Sequence, residues 1–143
     1  MRRDTQTGDL FMVPRPVATL PGALDFSLAV RRLIGDAIKA SPLNTLEIGA
    51  RMGELLGLPV TEHQLHSWTA PSRDAWRFPL EYLPAFEAVV QTHDITAWLA
   101  GVRGGQLLVG REALNAELGR LERQRDEAGA RIKALKKAMG EGE

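Results

Sequence analysis

The strongest constraint on this chain is one stretch with two helix starts and a break between them, NTLEIGARMGELLGLPVTEHQLHSW, which begins at Asn44. Asn44 precedes Glu47 by three residues, the spacing of a capping box, in which side chains pair with otherwise unsatisfied backbone donors. Thr61 and Gln64 repeat that spacing, and the run GLPV at 57–60 interrupts the helical periodicity between the two starts. The stretch therefore predicts two short helices joined by a tight turn.

Each predicted helix has an apolar side that can pack into a core. In the first helix this side comprises Leu46, Ile48, Met52, Leu55 and Leu56, and in the second Leu65 and Trp68. The side chains of the second helix that we expect to face outward are Glu62, His63, Gln64, His66 and Ser67. Polar groups near the amino end of a second helix suit the major groove of DNA. A plain helical hairpin that binds no DNA is the alternative, because short turns with glycine join many helix pairs.

Length and composition favour one globular domain with an appendage. The chain has 143 residues, of which 44% are hydrophobic and 25% charged, enough for one modest core. It has no cysteine, which excludes disulfide bonds and thiolate zinc sites and is typical of reducing compartments. The first residues lack an apolar signal segment, and Arg15 and three prolines interrupt the run LFMVPRPVATLP. We therefore expect a soluble, cytoplasmic protein without a signal peptide or a membrane span.

The charge balance is unusual for a protein that binds DNA. The chain has 18 basic and 18 acidic residues, whereas counterion release from DNA normally depends on an excess of lysine and arginine. The segment 41–79 is itself slightly acidic, with Arg51, Arg73 and Arg77 against Glu47, Glu54, Glu62 and Asp74. Positive charge clusters late, at Arg131, Lys133, Lys136 and Lys137.

The chain divides by pattern into three regions. Residues 1–24, rich in proline and glycine, predict an arm with a short strand at Leu10–Val13. Residues 25–102 predict the helix-turn-helix domain. Residues 103–143 begin with a second apolar run, Gln106–Gly110, which we expect to pair with the first strand as a β-ribbon, and continue as a long helix. Such a ribbon is marginal alone and needs the helical unit or a second subunit to support it.

Three further helices complete the predicted domain. Amphipathic spacing places one over residues 25–40, one near residues 80–90 and one from Asp94 to Gly101. Pro84 removes a backbone hydrogen bond, so we expect the middle helix to begin there after an irregular turn. The predicted fold class is all-α: a compact five-helix, lambda-repressor-like domain with a short β-ribbon and a C-terminal coiled-coil helix.

The last region has a strict heptad pattern. Its seam positions alternate four and three residues apart, the a/d signature of a coiled coil, at Leu114, Leu118, Leu121, Arg125, Ala128, Ile132, Leu135 and Met139. Arg125 and Ala128 weaken the seam, and Arg125 is a candidate for setting register or oligomeric state. We expect a homo-oligomer, either a dimer or a tetramer. The alternative is that this helix packs back on its own domain.

Several short motifs lie between residues 44 and 109: EIGARM at 47–52, VT at 60–61, WTAPSR at 68–73, RFP at 77–79 and LPAF at 83–86. Over this half of the chain the sequence resembles the helix-turn-helix regulators of temperate and Mu-like transposable phages and prophages, the Cro-type and CII-type group. The resemblance implies a dimeric or higher-order protein that binds double-stranded DNA and contacts it sequence-specifically through the helix after Thr61. It also implies a core role for Trp68 and contacts with the DNA backbone near Ser72 and Arg73.

The candidate DNA-contacting residues lie on the second helix of the motif and in the loop after it: Thr61, Glu62, His63, Gln64, His66, Ser67, Ser72, Arg73 and Arg77. Gln64 and Ser67 are candidates for base edges, since glutamine matches the paired acceptor and donor of adenine. The two histidines suit bases or phosphates, and Arg73 and Arg77 suit phosphates. Simple solvent exposure of the same side chains is the competing explanation.

The aromatic residues on the apolar sides are expected to close a small core, at Trp68, Phe78, Phe86 and Trp98. Trp76 lies in the loop between Asp74 and Arg77, off any helical pattern. Its expected roles are a lid on the core or an exposed contact with DNA or another partner.

Other kinds of site have little support in the sequence. His63 and His66, with Glu62 beside them, lack the further ligands that a metal needs, so we expect no metal and no cofactor. Neither a glycine-rich phosphate loop after a strand nor a nucleophile with histidine and carboxylate partners is evident, so we expect no enzyme and no small-molecule substrate. The rival function is a non-enzymatic adaptor or antirepressor-like modulator that binds another protein through the helical domain and the coiled coil.

Overall fold

The computed structural model describes residues 15–140, and over this range the chain is helical, with no strand. The α-helices are α1 (Ser27–Ala40), α2 (Thr45–Leu56), α3 (Glu62–Thr69), α4 (Leu83–Val90), α5 (Asp94–Val102) and α6 (Arg111–Ala138), and a short 3₁₀ helix (Leu80–Tyr82) precedes α4. The prediction of an all-α chain is confirmed for this range. Two compact units divide at Leu107, the first containing α1 to α5 and the second α6.

The predicted starts of α2 and α3 are present as hydrogen bonds. Thr61 and Gln64 form a complete capping box, because the Gln64 amide donates to Thr61 Oγ1 at 3.1 Å and the Thr61 amide donates to Gln64 Oε1 at 2.9 Å. The other start has half of a box. Asn44 Oδ1 accepts from the Glu47 amide at 2.9 Å. The Glu47 carboxylate, however, accepts from the side-chain nitrogen of Asn44, at 3.4 Å, and not from its backbone amide. Both helices therefore begin where their cap residues predict.

The core of the first unit forms where α1, α2, α3, α4 and the start of α5 meet. Its innermost side chains are Ile34, Ile48, Met52, Leu65 and Phe86. Trp68 packs edge-on against Phe78 and Tyr82, with ring centres 5.1 and 5.9 Å away, and Phe78 packs in turn on Phe86. Trp98 is only half-buried and packs edge-on against Phe26, outside this core cluster, so its predicted place in the core is wrong. Burial of these large apolar groups is the main term that holds five short helices together.

Two of the leucines assigned to the apolar side of α2 are exposed. Leu46 keeps 64% of its surface accessible, since it lies two residues before the buried Ile48 and so on nearly the opposite side of the helix. Leu55, in the last turn of α2, is 62% exposed. Met52 shares the buried side with Ile48. The buried stripe of α2 is therefore narrower than the sequence suggested.

The second predicted strand is not formed. Residues 106–110 run as an irregular connection between α5 and α6, bounded by Gly104 and Gly110 with φ of 76° and 63°. A strand needs a partner for its backbone groups, and the predicted partner, Leu10–Val13, lies outside the described residues. In the described part of the arm, the Val17 amide donates to the carbonyl oxygen of Val102 at 3.0 Å. The arm therefore contacts the end of α5 at that point.

A buried carboxylate fixes the start of α5. Glu87 of α4 is enclosed in the first unit and accepts from the backbone amides of Ile95 and Thr96, at 3.2 and 3.4 Å, and from the Thr96 hydroxyl. The residue before α5, His93, provides no side-chain cap. Glu87 thus satisfies donors that a helix amino end leaves unpaired, and its negative charge suits the positive end of the helix.

Candidate nucleic-acid interface

Arg31 of α1 fixes the end of α3 and the loop that follows it. Its guanidinium is buried, with only 7% of the residue exposed. It donates to five backbone carbonyl oxygens at 2.7–3.2 Å, those of Ser67, Trp68, Ala70, Arg73 and Trp76. A cation at this place is stabilised by the negative carboxyl end of α3. It also donates to carbonyl groups that have no hydrogen-bond donor within the helix. The last turn of α3 and residues 70–76 are therefore held as one element on α1.

Close backbone contacts fix the turn between α2 and α3. A Cβ atom added to Gly49 would lie 2.6 Å from the carbonyl oxygen of Val60, and one on Gly53 would lie 3.0 Å from that of Leu58. Only glycine allows α2 to approach the turn so closely. Gly57 ends α2 in the left-handed conformation, with φ of 72°. The crossing of α3 over α2 is thus set by glycines in α2 and at its end.

The solvent side of α3 carries Thr61, Glu62, His63 and His66, all exposed. Glu62 is not free, because its Oε1 accepts from the Thr45 hydroxyl of α2 at 2.7 Å and lies 3.9 Å from His66 Nε2. The His63 ring packs edge-on against Trp76, with centres 5.5 Å apart. Trp76 is 38% exposed, so it neither caps the core nor stands fully in solvent. It lies beside α3 and supports His63.

Two residues expected on this surface are placed differently. Ser67 is buried, with 2% of its surface exposed, so its assignment as an outward-facing contact is wrong. It lies one turn after His63, on the side of α3 that Trp76 and its loop cover, and the loop returns there because Arg31 binds the carbonyl groups of both Ser67 and Trp76. Gln64 is half-buried, and its Oε1 is already bonded to the backbone and hydroxyl of Thr61. Only its amide nitrogen is left for a base.

The loop candidates Ser72, Arg73 and Arg77 are exposed, and the backbone around them is restrained. The Arg73 amide donates to the Ala70 carbonyl at 3.1 Å, while its own carbonyl accepts from Arg31. Arg77 Nη1 donates to the Ser27 hydroxyl at 3.1 Å, so this side chain is tied to the start of α1. The structure therefore places all three on one ordered loop next to α3.

A groove of about 460 Å³ runs between α1 and α3. It brings to the candidate interface two basic side chains that were not among the DNA contacts predicted from the sequence. Arg32 and Lys39 of α1 line it together with His66 and Thr69 of α3, and Asp36 lies between the two cations. Their spacing of seven residues puts Arg32 and Lys39 on one side of α1. That spacing was visible in the sequence, but the packing of α1 beside α3 was not.

Hydrogen bonds at the start of α1 stabilise the ionised form of one carboxylate, that of Asp25. Asp25 Oδ1 accepts from the Ser27 hydroxyl and amide at 2.7 and 3.1 Å. These bonds, with a smaller contribution from the Arg77 charge, lower the pKa of Asp25. Asp25 is therefore ionised at neutral pH and lies, with Ser27, next to the guanidinium of Arg77.

The described residues contain no group of three or more histidine, aspartate or glutamate side chains that could hold a metal ion. Among the helices of residues 15–140, none has both the length and the apolar character to cross a membrane. Comparison with protein-family models, with curated proteins and with solved structures found no match for this chain. The resemblance to phage regulators therefore stays a prediction that rests on the motifs quoted above.

Proposed function

We propose that this protein is a sequence-specific DNA-binding regulator of transcription, of phage or prophage origin, which reads a major groove with α3 as an oligomer. The observation that carries the proposal is the fixation of α3 at both ends. A capping box holds its start, and Arg31 holds its end and the loop beyond. A helix that reads bases must be held rigidly enough to place its side chains in one register on the groove.

The surface around α3 supports a division of roles. His63 and His66 project from α3 and are the main candidates for base edges, with the amide nitrogen of Gln64 beside them. The flanking cations are candidates for phosphates, Arg73 and Arg77 on the loop side and Arg32 and Lys39 on the α1 side. In this arrangement phosphate contacts come from both sides of the reading helix, which is how backbone contacts fix register.

The charge of the chain limits what one copy can achieve. With equal numbers of acidic and basic residues, a single unit gains little from counterion release. Two linked units gain affinity through effective concentration, without new contacts in either one. The heptad seam of α6 is the proposed link, and a twofold-symmetric pair would read an inverted repeat.

A selection of binding sites from random duplex DNA with the full-length chain tests the proposal. We expect an enriched inverted repeat, bound in gel shifts with an affinity that falls as the salt concentration rises from 50 to 200 mM, on the scale set by a few phosphate contacts. A library without any enriched sequence, from protein that is folded and oligomeric, would contradict the proposal.

The rival function is an adaptor or antirepressor-like modulator, and one observation favours it. Leu46, Leu55 and Leu58 are exposed on α2 and its turn, and Glu47 and Glu54 lie among them. Apolar groups with acidic neighbours suit a protein surface better than a phosphate backbone. If the DNA selection fails, loss of a captured partner on changing Leu46 and Leu55 to serine would support this second function.

A further inference from the structure

In the part of the chain that the structure describes, α6 of the second unit carries an exposed apolar stripe. α6 has 28 residues and none of them is buried. The apolar seam side chains are 49–71% exposed, at Leu114, Leu118, Leu121, Ile132, Leu135 and Met139. A single helix with this stripe gains stability only by packing it on a partner. The question is which partner, and in which direction.

The charges beside the seam decide against a parallel pair. In the heptad that places Leu118 at a and Leu121 at d, the charged residues at positions e and g are Glu117, Glu122, Arg131 and Lys136. A parallel, in-register pair brings position g of one helix to position e of the next heptad in the other. Glu117 would then face Glu122, and Arg131 would face Lys136, so every charged contact would be repulsive.

An antiparallel pair reverses all of these contacts. Positions g then face g, and positions e face e, so that Glu117 meets Arg131 and Glu122 meets Lys136 of the second copy. Each of the two contacts occurs twice by symmetry, and all four are attractive. The acidic residues at the start of the seam therefore complement the basic residues at its end.

The seam also matches itself in the antiparallel direction. With the twofold axis between Asp126 and Glu127, every a position faces a d position: Leu118 faces Leu135, Ile132 faces Leu121, Met139 faces Leu114 and Arg125 faces Ala128. No seam residue is left over.

Arg125 fits this arrangement better than a parallel one. A parallel pair would bring two Arg125 side chains together in one layer and two Ala128 side chains in the next, one crowded with charge and one with a gap. Opposite Ala128, the aliphatic stem of Arg125 has room along the seam. Its guanidinium stays in solvent, where it lies 3.1 Å from Asp126 of its own chain.

We propose that α6 is a self-association surface whose partner is a second copy of the same helix in antiparallel orientation. In this register residue 111 of one copy lies level with residue 142 of the other. At about 1.5 Å per residue, the two copies of α6 would therefore start about 45 Å apart, at opposite ends of the pair. A parallel pair would bring the two starts side by side. This pairing depends on α6 alone, so it can be tested, and can fail, whether or not the protein binds DNA.

Single charge reversals give opposite signs for the two directions. In the antiparallel pair, Glu122→Lys and Lys136→Glu each replace two attractive contacts with repulsive ones, so we expect a dissociation constant about tenfold higher by sedimentation equilibrium. The double variant should return to within about threefold of the unchanged chain. Glu112→Lys, the same charge change at an outward position, is the matched control and should have little effect.

Three results of this series would overturn the proposal. A parallel coil predicts tighter association for both single variants, because each converts a repulsive contact into an attractive one. Equal association for single variants and control would show that these residues do not face each other. A monomeric or tetrameric parent chain would equally exclude the two-chain form.

Cross-linking checks the geometry without relying on charge. The chain has no cysteine, so Leu118→Cys and Leu135→Cys each introduce a single thiol. Under mild oxidation we expect a covalent dimer from the mixture of the two variants and little from either alone, since residue 118 faces residue 135 of the other copy. Covalent dimers of each variant alone, without the mixed product, would establish the parallel coil. Absence of all covalent dimers would rule out this register.

Discussion

The guanidinium of Arg31 donates a 2.7 Å hydrogen bond to the carbonyl oxygen of Trp76, a residue 45 positions later. The same group binds four other carbonyl oxygens between Ser67 and Arg73. One side chain of α1 therefore joins the end of α3 to the loop that carries Arg73 and Trp76. The shape of the proposed DNA-binding surface depends on this single buried cation.

Replacing Arg31 with methionine should destabilise the first unit. The substitution keeps most of the side-chain volume but leaves backbone acceptors without donors in a buried place, at a cost of about 3 kcal/mol. Urea denaturation followed by circular dichroism measures the effect. Arg32→Met, at the next and exposed position, is the control and should change the stability by less than about 0.5 kcal/mol. Equal stabilities of the two variants would show that the Arg31 network contributes little.

Gly49→Ala should weaken the crossing of α2 and α3. The added Cβ would lie 2.6 Å from the carbonyl oxygen of Val60, so the backbone must shift, at a cost of about 1–3 kcal/mol. Gly101→Ala, a helical glycine with no atom within 4 Å of the added Cβ, provides the comparison and should be neutral or slightly stabilising. Thermal denaturation distinguishes them, and a Gly49→Ala protein as stable as Gly101→Ala would mean that α2 and α3 can separate at no cost.

Glu87→Ala should fray the start of α5. The change removes the acceptor for the amides of Ile95 and Thr96, and leaving buried donors unpaired costs about 1–3 kcal/mol. Hydrogen exchange at these two amides should become faster, which a general loss of stability elsewhere would not single out. Glu81→Ala, at an exposed position of the 3₁₀ helix, is expected to leave that exchange unchanged. Unaltered protection in Glu87→Ala would assign the cap to another group.

Changing His63 and His66 to alanine should weaken binding to the selected DNA site while the fold persists. Each lost base contact costs about 1–3 kcal/mol, so we expect a reduced preference for the selected site over unrelated DNA. His93→Ala is a matched control, because it removes the third histidine of the chain, which lies just before α5 and outside α3 and its loop. Gln64→Ala is less informative, since it also removes the capping box of α3. Unchanged specificity in the double variant would remove α3 from its reading role.

Truncation after Gly110 should leave a folded first unit that is monomeric and binds DNA at least about 100-fold more weakly. The division of the chain at Leu107 supports independent folding of α1 to α5, and loss of α6 removes the link that raises effective concentration. Light scattering gives the oligomeric state. A truncated chain that keeps the full-length state would place the interface within the first unit or the amino-terminal arm.

Features that depend on neighbouring residues could be predicted from the sequence. The starts of α2 and α3 follow from cap residues three positions before their partners, and the irregular turn before α4 follows from Pro84. The heptad seam of α6 is likewise a repeat within one helix. In each case the physical cause acts over one or two turns, so the order of residues is sufficient to reveal it.

Only the tertiary structure determined which polar side chains of the candidate site are exposed and which are buried or already hydrogen-bonded. Ser67 has the polarity of a surface residue, yet it is buried because a loop held by Arg31 folds back over it. From its position in an amphipathic helix, Arg31 would be expected to be an exposed charge. Arg32 lies beside His66 only because α1 packs along α3. These relations join residues more than thirty positions apart, as with the 36 between Arg31 and Ser67. Burial and hydrogen bonding between residues so far apart in sequence depend on how the helices pack. The local periodicity of apolar residues does not predict that packing.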